Sequence, residues 1–352
     1  MSSGLGWMLQ TLFLALLQLR YPASVPGEKG AEPDWGRDPA YAIYERYRYA
    51  YDTYGYLFLS ENTGGEPEAA EGAGAEFGSL WVESGPGAGF QAGTDGDAIP
   101  VQLAQLQDYD FLMNRYYSVH ASTTAPRELM QADQLLGTDI RLEQNPEEPQ
   151  ILIYHTHSQE TYADYGPDNP DATVVENGRY LAELLRSRGW NVIHDVTEYD
   201  IQGGELDRNK AYNYALEGIT KILEEHPTIE VVLDLHRDGV PENTRLVTEV
   251  NGKPTAKLMF FQGMSRTPDE EISYLPNPYL KENLAFGFQM QVEAEQFPGV
   301  TRKIYLKGLR YNLHLRGRSS LVEVGAQNNT SEEAKNAMEV LAEVLDRVLQ
   351  GK

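Results

Sequence analysis

The chain has 352 residues, with 29 Lys and Arg against 53 Asp and Glu for a formal net charge of -24, and no cysteine. So strong a negative field repels phosphate backbones at long range and excludes nucleic acid as the main partner. The missing thiols exclude disulfides, cysteine nucleophiles and cysteine zinc sites, so any metal must be held by His, Asp or Glu.

In chain order, GWMLQTLFLALLQLRY at residues 6–21 carries an apolar run shorter than the roughly 20 residues a spanning helix needs. It reads as a signal segment or membrane anchor over residues 1–21, which implies an extracytoplasmic protein, although no positive residues precede it. Residues 22–105 turn to Gly, Pro, Glu and Ala, the composition of an acidic low-complexity spacer that cannot bury enough surface to order itself. Inside it, the tyrosine-rich AYAIYERYRYAYDTYGYLFL at 40–59 has near-helical spacing and reads as a short packing helix. Residues 106–148 mix β-prone and polar types and predict a small β-rich extension; His120, within it, reads as a structural histidine.

From 149 to 352 the pattern becomes regular. ILIY (151–154) is a continuous apolar run, the mark of a strand buried on both faces of a parallel sheet. A helix comes next, with Tyr180, Leu181, Leu184 and Leu185 on one face and Gly189 as its terminator. NVIHD (191–195), TIEVVLDLH (228–236), AKLMFFQG (256–263) and SSLVEVG (319–325) read as further strands. Helices fall at 210–227, stopped by Pro227, at 282–297, and at 330–349, the last opening on a capping box from Thr330 to Glu333. Strands alternating with helices at this spacing define an α/β domain: a mainly parallel twisted sheet flanked by helices.

In such sheets functional residues collect beyond the carboxyl ends of the strands. Three strands end suggestively: ILIY into His155-Thr156-His157-Ser158-Gln159-Glu160, VVLDL into His236-Arg237-Asp238, and SSLVEVG at Glu323. Imidazole and carboxylate are what zinc accepts when thiolates are lacking, and a catalytic zinc keeps three protein ligands. His157 and Glu160, spaced HxxE, with the distant His236 supply that set. His155 competes for the first position, one of the two histidines facing the site and the other lying behind it to orient a ligand or bind substrate. The HxxE spacing also suits another zinc hydrolase such as a metallocarboxypeptidase, and a non-catalytic wall-binding scaffold is a third reading.

YHTHSQETY, DLHRDG and LVEVGAQNNT, in that order, resemble the signatures of the stage II sporulation protein P family, with similarity from about residue 108 to the C-terminus that includes YSVHASTTAP and KENLAFGFQM. The resemblance implies a zinc-dependent N-acetylmuramoyl-L-alanine amidase acting on peptidoglycan in endospore formation. It further implies an associated endopeptidase activity and partnership with a sporulation protein D-type lytic transglycosylase and a membrane scaffold protein. It implies metal ligation by a histidine of the HTHSQE motif, by an acidic residue after it and by His236, with Glu323 as catalytic glutamate and Asn328 and Asn312 as substrate-binding residues. Relatives of the family often place the acidic ligand just before the first helix, where Glu176 stands, so Glu176 competes with Glu160. Arg237 is expected to counter the acidic field, to stabilise an oxyanion, or to pair with Asp234 or Asp238. RYNLHLRGRSS departs from the more usual RYNQ-type sequence and brings His314 and extra arginines near the site.

Overall fold

The computed structural model describes residues 103–208 and 210–352. The apolar run at 6–21 and the tyrosine-rich stretch at 40–59 lie outside the described residues. In chain order the elements are α1 (Leu103–Leu106), α2 (Tyr109–Tyr116), β1 (Tyr117–Val119), α3 (Ala132–Gly137), β2 (Ile151–Tyr154), α4 (Val174–Ser187) and β3 (Val192–His194). A small hairpin, β4 (Ile201–Gln202) and β5 (Glu205–Leu206), leads to α5 (Ala211–Glu225) and β6 (Val231–Asp238). After a second hairpin, β7 (Val247–Val250) and β8 (Lys253–Ala256), come β9 (Leu258–Gly263), α6 (Leu280–Glu293), β10 (Ile304–Lys307), β11 (Arg318–Ala326) and α7 (Ser331–Gln350).

Seven strands form one sheet in the order β1-β10-β9-β11-β6-β2-β3. Only the β9–β11 pairing is antiparallel, so the mainly parallel, helix-flanked sheet expected from the alternation is present. β2, β6 and β11 are immediate neighbours and run the same way. Their carboxyl ends therefore meet, although the chain visits β2 and β11 on either side of β6.

The two faces are covered unequally. Ile151, Ile153, Leu233, Leu235, Val322 and Val324 pack on one face with residues of α4, α6 and α7, such as Leu181, Phe286 and Leu341. On the other face Leu152, Tyr154 and Val232 meet Ala215, Ile219 and Leu223 of α5. A separate small cluster joins Phe261 and Leu321 to Tyr311 and Leu313. Side chains alternate along a strand, so Asp234 and His236 share the face of Val232, and Glu323 shares that of Leu321. These polar groups rise between the two smaller clusters.

Residues 103–148 differ from the β-rich extension expected. Two helices precede a single short strand: the Asp108 side chain accepts from Phe111 N at 2.9 Å and caps α2. Leu112 and Tyr116, one helical turn apart, bury its inner face. β1 then pairs in parallel with β10, so this segment supplies the edge of the main sheet. The last helix opens as the sequence indicates, with Thr330 and Glu333 forming a reciprocal capping box. No helix among the described residues is long and apolar enough to cross a membrane.

Candidate metal centre

β2 ends at Tyr154, and the turn beyond it separates the paired histidines. His155 continues the strand alternation and faces α4. Its Nδ1 lies 3.0 Å from Leu235 O and its Nε2 2.9 Å from His194 Nε2. Gly178 of α4 makes room for this pair, since a Cβ there would stand 2.5 Å from His155 Nε2. The chain then turns. Thr156 donates its N–H (2.9 Å) and its hydroxyl (2.6 Å) to the two oxygens of Asp234, and Ser158 Oγ donates to Asp200 Oδ1 at 2.6 Å. This bolted turn swings His157 onto the opposite face and brings Glu160 beside it.

His157 Nδ1 is 3.7 Å from Glu160 Oε1, and His236 Nδ1 is 3.6 Å from Glu160 Oε2. The two imidazoles cross at 84° with centroids 5.0 Å apart. All three residues are buried, and their donor atoms lie within 4.8 Å of one another. The Glu160 Oε2 also accepts the Arg237 backbone N–H at 2.9 Å. His236 Nε2 contacts Asp234 Oδ1 at 2.8 Å, which leaves Nδ1 as the nitrogen aimed at the cluster. A carboxylate behind a ligating histidine is the common way to fix its ring and raise its basicity.

The donor set fits a zinc-type ion: two imidazoles and one carboxylate, with no thiol, leave one position open for water or substrate. Donors about 2.1 Å from a common tetrahedral ion lie about 3.4 Å apart, close to the two N···O separations above. The electrostatics agree. Burial would raise the Glu160 carboxyl, but hydrogen bonds and charge from His157 and His236 hold it well below the usual carboxylate range. Burial would lower His236, yet Asp234 first and then Glu160 raise it well above an ordinary histidine.

Glu323 on β11 is the register partner of His236 on β6, one strand spacing of about 4.8 Å away on the same face. Its Oε2 is buried without a hydrogen-bond partner among the described residues. Burial above all, with the charges of Asp238 and Glu160, pushes its carboxyl up to about 8, against the opposing pull of His236 and Arg302. Just past Glu323 the β6–β11 register shifts, and Gly325 adopts φ +60°. Asn329 Oδ1 accepts the Ala326 N–H there at 2.9 Å, and a Cβ on Gly325 would stand 2.7 Å from that same oxygen.

The remaining residues singled out in the sequence stand outside the cluster. Glu176 pairs with Arg179 in the first turn of α4. The Arg237 guanidinium bonds the carbonyls of Thr161 (3.1 Å) and Asp238 (3.3 Å), and Asp238 pairs instead with Arg302 at 2.5 Å. Asn328 Nδ2 donates to Pro241 O (3.0 Å) and Thr244 O (2.8 Å), pinning that loop. Asn312 Nδ2 donates to Tyr212 O at 2.9 Å. Two contributors were given no role at the centre, Asp234 having been named only as a possible partner of Arg237. Asp234, a carboxylate inside the buried run VVLDL, needed a partner for that very reason. Tyr212, whose ring faces both histidines, left no signal beyond its place on an amphipathic helix.

The class so defined is an α/β protein in which adjacent parallel strand ends deliver imidazoles and carboxylates to one buried pocket. A family model for stage II sporulation protein P matches residues 108–346, well over half of the sequence, and the chain belongs to that family. Stage II sporulation protein P of Bacillus subtilis (strain 168) is 25% identical over 216 residues, covering 56% of this chain and 50% of the relative. The chain thus spans about half the length of the curated relative it matches. Among solved structures, the CwlD amidase from Clostridioides difficile in complex with the GerS lipoprotein is similar at 13% identity and a TM-score of 0.38, over 58% of this chain and 100% of that one. The N-acetylmuramoyl-L-alanine amidase AmiC2 of Nostoc punctiforme is similar at 12% identity and a TM-score of 0.36, over 59% of this chain and 97% of that one.

Proposed function

We propose that this protein is a zinc-dependent peptidoglycan hydrolase of endospore formation that cleaves the amide between N-acetylmuramic acid and the L-alanine of the stem peptide. In this reading His157, Glu160 and His236 hold the metal and Glu323 is the general base. Zinc bound there supplies Lewis acidity, polarising the amide carbonyl and lowering the pKa of a water from about 16 to near 7. Asp234 holds His236 with Nδ1 toward the ion, and the Arg237 backbone N–H steadies Glu160. Glu323 takes a proton from the attacking water and passes it to the departing amine as the C–N bond breaks, a role worth roughly 100- to 10,000-fold in rate.

The observation that carries the reading is the register pairing of Glu323 with His236 beside a buried His–Glu–His set. Membership of the sporulation family supports the cell-wall substrate. An extracytoplasmic location, an accompanying endopeptidase activity, and work alongside a sporulation protein D-type lytic transglycosylase and a membrane scaffold protein belong to the same proposal. The test is mass spectrometry of purified sacculi digested with the zinc-loaded protein. Intact stem peptides with free L-alanine amino termini are expected. Peptides shortened only from the carboxyl end would make it a metallocarboxypeptidase, and stoichiometric binding without soluble products would make it a scaffold.

A further inference from the structure

We infer that Tyr212 is a positioning residue of the metal centre, holding the planes of His157 and His236, and that the Tyr311–Asn312 turn is the brace that holds Tyr212. The inference deepens the metal reading above and rests on it.

An imidazole rotates about a broad, weakly structured torsion, so a histidine points a lone pair at an ion only when its surroundings fix the ring. Asp234 fixes one end of His236. Tyr212, in the first turn of α5, supplies the flat wall: its ring lies nearly parallel to His236, 13° between planes at 6.5 Å. The same ring meets His157 at 73° with centroids 5.6 Å apart. The two histidines themselves cross at 84°, so each of the three rings neighbours the other two.

Tyr212 is gripped from a distant part of the chain. Its backbone carbonyl accepts from Asn312 Nδ2 at 2.9 Å. Its ring receives the Tyr311 ring at 75° and 5.5 Å, and Tyr311 in turn rests on Phe261 of β9 at 4.7 Å. Both gripping residues have left-handed backbones, φ +48° at Tyr311 and φ +58° at Asn312. Asn tolerates that region, but a bulky residue enters it only when its surroundings enforce it, and such residues cluster at functional sites. Here the unusual backbone lets two consecutive side chains reach the same target. Asn312, which the resemblance suggested for substrate binding, has its amide committed to this brace. The Tyr212 hydroxyl has no hydrogen-bond partner among the described residues, so the ring is the part that does the positioning.

The test compares Tyr212→Leu, Tyr212→Phe and Asn312→Gly with the parent in zinc affinity, by competition with a chelator, and in the visible spectrum of the cobalt-substituted protein. Residues that orient metal ligands typically matter 10- to 100-fold in affinity. Tyr212→Leu is expected to weaken zinc binding by about that factor and to alter the cobalt bands, while Tyr212→Phe restores both. Asn312→Gly keeps the left-handed turn and deletes the amide, so it should shift both readouts in the same direction by less. Parent-like affinity and spectrum in Tyr212→Leu overturn the inference. If that variant does not fold, a parent-like Asn312→Gly overturns it. A parent protein that binds neither ion overturns the metal reading itself and this inference with it, an outcome distinct from any difference between variants.

Discussion

Glu323 and His236 face the same pocket as register partners on adjacent parallel strands. The catalytic role proposed for Glu323 rests on that pairing, and it separates chemistry from metal binding. Glu323→Gln keeps the shape and removes the proton acceptor. The variant is expected to retain one zinc per chain and to lose at least about 100-fold in peptide release from sacculi. Metal analysis and a release assay check it, and turnover at the parent rate would remove Glu323 from the mechanism.

The same carboxyl has a thermodynamic signature in metal-free protein. Its pKa is pushed up to about 8 in the fold, from an ordinary 4.5. Between those values the folded state keeps a proton that the unfolded chain has lost, so stability falls as pH rises through that window, by up to about 1.4 kcal/mol per pH unit. Two neighbouring groups have windows of their own. The depressed Glu160 adds stability above its ordinary range that is lost only on strong acidification. The raised His236 adds stability that is complete below its ordinary value of 6.5 and is lost progressively as pH rises from there toward its folded value, so above about 6.5 it adds to the Glu323 slope. Calorimetry of chelator-treated protein should show a falling unfolding midpoint from about pH 4.5 to about 8, and Glu323→Gln should flatten the part below about pH 6.5, where His236 does not yet contribute.

Asp234 should make the proposed metal binding pH-dependent. Because its charge raises His236, a proton competes with zinc for the ring, and zinc affinity should drop steadily as the solution is acidified. Asp234→Asn is expected to weaken zinc binding about 10- to 100-fold at neutral pH and to make the remaining pH dependence shallower. Chelator competition across a pH series measures both, and an unchanged affinity would mean that the carboxylate merely fills space.

Gly178 is tested by volume. Alanine in mid-helix is ordinarily favoured over glycine by about 1 kcal/mol, but a Cβ here meets His155 Nε2 at 2.5 Å and His194 Nε2 at 2.7 Å. Overpacking of that kind typically costs about 1–3 kcal/mol, so Gly178→Ala should lower the unfolding midpoint. Adding the same change to His194→Ala, which removes one of the clashing rings and opens space into which His155 can give way, should cost less than it does in the parent. Additive losses in the double variant would refute the close-approach explanation.

Much of the centre was legible in the sequence because apolar runs end abruptly at polar residues. ILIY, VVLDL and SSLV run into His155-Thr156-His157, His236 and Glu323, and a parallel sheet has few ways to arrange such residues. What pattern alone left open was the choice inside each motif. His155 and His157 have the same parity, and the turn after Tyr154, pinned by Thr156 to Asp234, separates them onto opposite faces. Glu160 and Glu176 both come after the histidines, and only the path of the loop draws Glu160 under the Arg237 backbone. The extension before the sheet was harder to read, because an Asp108 cap and two buried residues one turn apart outweigh β-prone composition over so short a stretch. Tyr212 was invisible because its partners, Tyr311 and Asn312, lie some hundred residues away.

The order of strands also bears on when the centre comes into being. His155 bonds to Leu235 across 80 residues of chain, and the third side of the pocket arrives only with β11, the last strand. Contacts of such long sequence separation form late and slowly. A chain in which β11 has not yet docked therefore has no Glu323 beside His236, and the pairing of those two residues is completed last.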